Sequence, residues 1–465
     1  MIRVTLGALA PVVLLFLPRP VAAQQLGSWA EKLALDDAAN QPGPGRKQRE
    51  LGGSPLYDQL RDAELKLQGL QEKLAAFEFH GYLRTGFGLN GRGGQQVAFA
   101  APGAGAKYRL GNEAETYGEL TLVNNWVNPD KEIDKVWLRT EIMVQADTSN
   151  ASNDSSTDHF RLRESFVQAG NILRAQPGAV AWAGQRYYRR QQVDINDFFS
   201  IDMSGYGAGF EDLDVGIGKL ALAVLGGASE AVVGSIGRYT KVNLDARLYD
   251  IPVPLGKFGF WLAAARTPPI TLADGTKVPA ASGVSFAAKH VRPNLLGGYN
   301  NLIVAYGRGV AENMRTQVPA PSPFMADAAR FVVIEHVLLQ PSQHFAVMAT
   351  VVYQRRTSGD PDEDPSTWLS FGARPVVFFS RHLSWATEAG FDRTVDGQGR
   401  YQGWLQKYST APQIAAGQEF FSRPVLRLFV TYAQWSPGLV GLIGGAPYAA
   451  RSRGLAAGVQ AEAWW

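Results

Sequence analysis

GLAAGVQAEAWW, residues 454–465, decides the fold. Counting by twos from the last residue gives Trp465, Ala463, Ala461, Val459, Ala457 and Leu455, all apolar. The other phase is Trp464, Glu462, Gln460, Gly458, Ala456 and Gly454, and it holds the only charged and amide side chains. A period of two marks a strand with unlike faces. One face suits hydrocarbon and the other water, with aromatics at the strand's end, where a membrane girdle would sit. A half-buried strand of a soluble sandwich would alternate in the same way. The rest of the chain decides between them.

The same alternation recurs far upstream. In FHGYLRTGFGL, residues 79–89, Phe79, Leu83, Phe87 and Leu89 are apolar, while His80, Tyr82 and Arg84 occupy the other phase. Residues 107–122, KYRLGNEAETYGELTL, read as one further strand. Its polar face carries Lys107, Arg109, Glu113, Glu115, Tyr117 and Glu119, and its apolar face Tyr108, Leu110, Ala114, Leu120 and Leu122. In KVWLRTEIMVQA, residues 135–146, Val136, Leu138, Ile142 and Val144 alternate with Trp137, Arg139, Glu141 and Gln145. Sandwich strands bury their apolar face against a second sheet and rarely set so many acids, arginines and aromatics opposite it. A water-filled membrane barrel asks for that pattern.

The N-terminal region agrees with export. Residues 1–23 combine Arg3, an apolar run from Val12 to Leu17, and small residues Ala22 and Ala23, the pattern of a secretory signal peptide. No later stretch approaches eighteen consecutive apolar residues. An exported chain then folds in water or closes as a barrel. Residues 24–54 are rich in glycine, proline and polar residues and read as a flexible periplasmic tether. Residues 55–78 contain a heptad seam, Leu56, Leu60, Ala63, Leu67, Leu70, Leu74 and Phe77, spaced alternately by four and three. That is the seam of a coiled coil, short enough to need help from a multimer. The barrel is expected over residues 79–465.

Composition removes several classes. Fifty glycines, eleven tryptophans and 11% aromatic residues suit strands and turns. With no cysteine there is neither a disulfide framework nor thiol chemistry. The formal net charge of +3 argues neither for nor against nucleic acid, and no nucleic-acid partner is expected. Neither GxSxG nor HExxH occurs, so no enzyme, cofactor or metal is expected.

FHGYLRTGFGLNGRGGQQ, AKYRLGNEAETYGEL, WAGQRYY, DMSGYGAGFEDLDVGIGKL and the closing WW resemble the maltoporin family of outer-membrane carbohydrate channels. The heptad segment resembles the periplasmic extension of sucrose porins. The resemblance implies an eighteen-stranded antiparallel barrel, assembled as a homotrimer in outer-membrane lipid, with its third loop folded inward as a constriction. It further implies an aromatic row for oligosaccharides at Tyr82, Tyr117, Phe379 and Trp464, with Tyr299 beside it. A polar track is implied at Arg84, Arg109, Glu119, Arg163 and Arg190, with Asp197 in the constriction. The strand phases put Tyr82, Tyr117 and Trp464 on the polar face without reference to the family.

Several positions depart from the pattern. Phe199 stands where maltoporins carry a constricting tyrosine, and Gln192 where the track is acidic. The second loop, about residues 147–160, lacks the tryptophan that reaches the neighbouring pore, with only His159 or Phe160 to substitute. Ala98 and Ala114 replace a loop disulfide of some members. A general diffusion porin with a weak anion preference is the alternative within the channel class. A barrel that tethers envelope layers is the alternative outside it.

Overall fold

The strand Val425–Trp435, VLRLFVTYAQW, alternates buried and exposed residues along its whole length. Its outward set begins with Leu426 and Leu428, which are 58% and 60% exposed. Each Å² of such apolar surface held in water costs roughly 25 cal/mol. A wall of such residues is stable only against hydrocarbon. The inward set, Arg427, Phe429, Thr431, Ala433 and Trp435, is buried although it faces the lumen, because loops fill much of that space.

The computed structural model describes residues 76–113, 115–132, 135–148, 159–232 and 237–465. The expected signal peptide, the tether and all but the last residues of the heptad segment lie outside them. Eighteen strands form one sheet. Each pairs antiparallel with its neighbour in the chain, and the first, Phe77–Asn90, pairs with the last, Arg453–Trp464. The sheet is a closed barrel with no free edge. Its first strand begins two residues before the expected boundary, so Phe77 belongs to the wall and not to a helical seam.

Long connections alternate with short turns, as the expected barrel requires. The third long connection, residues 187–204, runs inward between strands Val180–Arg186 and Gly205–Asp214. It folds on itself as a hairpin of Gln191–Val193 against Phe198–Ile201. Val193, Ile195, Phe198, Ile201 and Met203 pack with wall residues such as Trp182, Trp368 and Val376. The largest apolar cluster therefore lies inside the barrel, beneath the loop.

The first long connection also turns inward, which corrects the sequence reading of residues 107–122. The strand begins only at Thr116 and ends at Val127. Tyr108 and Leu110, expected to face lipid, are 1% and 2% exposed and belong to the internal cluster. The Tyr108 ring lies over the paired Gly372 and Gly390, where a Cβ would come within 2.4 and 2.1 Å of it. Only glycine leaves room for that approach. Leu110 is held at both backbone groups: its N–H donates to Glu388 Oε1 at 3.0 Å, and Lys407 Nζ donates to its carbonyl at 2.7 Å. Glu388 also pairs with Arg374 and Lys407 at 2.6 and 2.8 Å, which compensates three buried charges together.

Candidate functional site

Period-two geometry places residues i and i+2 of each strand on the lumen face, and the register aligns them across strands. Tyr82 is opposite Glu119 on one side and Trp464 on the other. Arg84 is opposite Tyr117 and Glu462. Three adjacent strands thus bring aromatic rings and charges into interleaved rows. They border a cavity of about 420 Å³, completed by Arg109 and Glu113 from the first loop and by Arg190, Gln192, Asp197 and Phe199 from the third.

The aromatic row is continuous. Tyr82 and Tyr117 meet edge-on with centroids 6.0 Å apart, and Tyr82 stacks on Trp464 at 6.4 Å with 20° between planes. Trp464 approaches Phe421 at 6.5 Å, and Phe421 meets Phe420 at 5.2 Å. Phe420 and Phe421 come from the turn between strands Gln402–Ala415 and Val425–Trp435, at the barrel end that holds Phe77 and Trp464.

The charged track is tightly paired. Arg84 binds Glu113 at 3.2 Å and Glu115 at 2.7 Å. Arg109 donates to Glu113 at 3.0 Å and to the Tyr82 hydroxyl at 2.9 Å. Tyr82 in turn donates to Glu462 Oε1 at 3.1 Å. Glu462 Oε2 accepts from Arg423 at 2.8 Å and Arg427 at 3.0 Å. Glu119 accepts from the hydroxyls of Tyr117 and Tyr187, at 2.5 and 3.2 Å.

Burial pushes the Glu113 carboxyl up, but Arg109, Arg84 and Lys107 beside it outweigh burial and hold it below the usual carboxylate range. Burial likewise opposes the charge on Arg109, and its acidic neighbours, Glu113 foremost, raise it well above the ordinary arginine value. Burial lowers Arg423 to about 10, which leaves it charged at neutral pH. The stabilisation from Glu113 is present above the unfolded carboxyl pKa and is lost as pH falls through its lowered folded value.

Arg190 lies over the rings of Tyr187 and Phe199, at 3.6 and 4.7 Å from their centroids, and both contacts fix it at the constriction. Gln192 donates to Asp197 at 2.6 Å and keeps that part of the loop polar without a second charge. Phe199 presents a ring without a hydroxyl.

Not every expected residue reaches this cavity. Phe379 is a correction: it lies beyond the end of strand Ser366–Phe378, is 65% exposed, and borders an outer-wall groove with Phe87, Leu383 and Trp385. Its neighbour Phe378 takes the inward phase and is buried in the internal cluster. Arg163 donates to Gln145 on the wall and does not line the cavity. Tyr299 donates to Asp194 at 3.1 Å and lines a second cavity adjoining the first. In the second loop, residues 149–158 lie outside the described residues, and Phe160 is 73% exposed.

Glu462, Arg427, Arg423, Arg374, Phe420 and Phe421 line the cavity without having been assigned to it from sequence. Glu462 is the sole acid on the polar face of the final strand, and Arg427 occupies the inward phase of its own. Period two could have found both. No periodicity marks the turn that carries Phe420 and Phe421.

The family model described as LamB porin matches residues 77–465. Among solved structures, the chain is similar to OccK3 (OpdO) of Pseudomonas aeruginosa at 12% identity, covering 86% of this chain and 99% of that one, with a TM-score of 0.45. It is similar to OpdK of Pseudomonas aeruginosa with vanillate at 9% identity, covering 84% and 98%, with a TM-score of 0.46. OmpT of Vibrio cholerae, in a trimer form, matches at 7% identity over 84% and 99%, with a TM-score of 0.37.

Proposed function

The chain belongs to the LamB porin family, and we propose that its channel carries sugars by facilitated diffusion, as a homotrimer. It is an outer-membrane channel of a bacterium, and its chemistry is passage through a lumen. The observation that carries the sugar reading is the continuous row Tyr117, Tyr82, Trp464, Phe421 beside a paired charge track. A pyranose ring has an apolar C–H face that lies on an aromatic ring. Its hydroxyls accept from guanidinium groups and donate to carboxylates. Each contact is weak, and a series of comparable weak sites lets a solute enter, step and leave.

Charge pairing favours sugars over anions. Six arginines and five carboxylates line the cavity, so its formal excess is one positive charge. Arg84, Arg109, Arg423 and Arg427 are each within ion-pair distance of a carboxylate. A general anion path would need guanidinium charge left unpaired in the lumen. Liposomes carrying the protein should admit malto-oligosaccharides faster than uncharged polyols of similar size. Equal rates for both would support a general diffusion pore.

Trimer assembly has its own test. Unboiled protein should run on a denaturing gel as a compact oligomer that heating dissociates. The heptad of residues 56–77 is too short to be the main assembly element. Deleting residues 55–75 should lower the dissociation temperature and leave the oligomer intact. Loss of all oligomer would make the coil the principal contact.

A further inference from the structure

The turn of residues 416–424 does not stay at the rim. Gln340, on strand Ala329–Ser342, donates through Nε2 to the carbonyl of Gln418 at 2.6 Å. Its Oε1 accepts from the Phe420 N–H at 3.2 Å. Three wall strands, Phe345–Thr357, Ser366–Phe378 and Leu383–Val395, separate Gln340 from the strand that leads into the turn. The turn therefore crosses the mouth as a chord. Arg423 ties it from the other side, donating to the Phe420 carbonyl at 3.3 Å while its guanidinium lies 4.3 Å from the Trp464 ring centroid.

This chord divides the path. Phe420 and Phe421 line the constriction cavity and also a second cavity of about 610 Å³. The second cavity offers apolar surface from Tyr299 and Leu338 and hydroxyl partners from Gln340, Gln343 and Glu419. It repeats the chemistry of the first, flat rings beside amide and carboxylate groups, with no arginine in its lining. Phe421 faces Trp464 on one side and opens to this cavity on the other.

We propose that the inward turn makes a second sugar-binding station at the exit, with Phe421 as the ring that passes a sugar between the two. The proposal rests on the sugar-channel reading. A short sugar occupies one station at a time. A long one spans both, so its affinity gains from the second.

The test compares blocking constants for maltose and maltohexaose in reconstituted channels of wild type, Phe421→Ala, Phe421→Leu and Tyr82→Ala. Phe421→Leu keeps apolar volume and removes the flat ring, so it serves where the alanine variant fails to assemble. Both Phe421 variants should reduce the maltohexaose-to-maltose affinity ratio by about threefold to tenfold, the range of one aromatic contact. Tyr82→Ala should weaken block by both sugars. An unchanged ratio in the Phe421 variants, with Tyr82→Ala still weakening block, overturns the exit station and leaves the sugar channel standing. If no variant alters block, the sugar reading fails as well.

Discussion

Replacing Glu462 by glutamine should shift the channel toward anions and lower the temperature at which its assembly dissociates. Glu462 is a buried carboxylate that accepts from Arg423, Arg427 and the Tyr82 hydroxyl, with Arg109 at 3.5 Å. Losing it raises the formal excess of the cavity lining from one positive charge to two. It also leaves Arg423 and Arg427 without their carboxylate in a site that water reaches poorly. Breaking a buried pair from one side costs about 3–5 kcal/mol. Reversal potentials in a salt gradient report the first effect, and heat dissociation on a gel the second. Unchanged selectivity and unchanged dissociation would show that Glu462 is not the hub of the charge track.

Truncating Tyr82 to alanine should weaken sugar block on the order of tenfold, the upper end of what one ring contact supplies. The tyrosine acts in two ways. Its ring stands between Tyr117 and Trp464, and its hydroxyl relays a hydrogen bond from Arg109 to Glu462. Tyr82→Phe keeps the ring and removes the relay, a change worth about 0.5–1.5 kcal/mol. The phenylalanine variant should therefore retain most of the affinity, and the alanine variant should lose it. Equal losses in both would assign the effect to the hydroxyl network and not to stacking.

The wall was legible because each strand has one face in hydrocarbon and one in water. Leu83, Phe87, Leu455 and Val459 face outward, and Arg84, Gln460 and Glu462 inward, as alternation predicts. The same rule misled at residues 107–115. Alternation assigns faces only to residues that are in a strand, and these nine form an inward loop. What holds them is Lys407, Glu388 and a trough of two glycines, all more than 250 positions away in sequence. Phe379 failed for a more local reason: the strand ends one residue earlier, at Phe378. Phe421 replaces it in the row from a turn whose path is set by Gln340, on a strand it never pairs with. Such chords across a lumen leave no periodic trace in sequence.

The central claim is that sugars bind along the row Tyr117, Tyr82, Trp464 and Phe421. Titrating the conductance of reconstituted wild-type channels with malto-oligosaccharides of increasing length tests it most directly. Saturable block, with affinity rising with chain length until the row is filled, is the predicted result. A decrease in current that tracks only solution viscosity, with no saturation for any sugar, would contradict it.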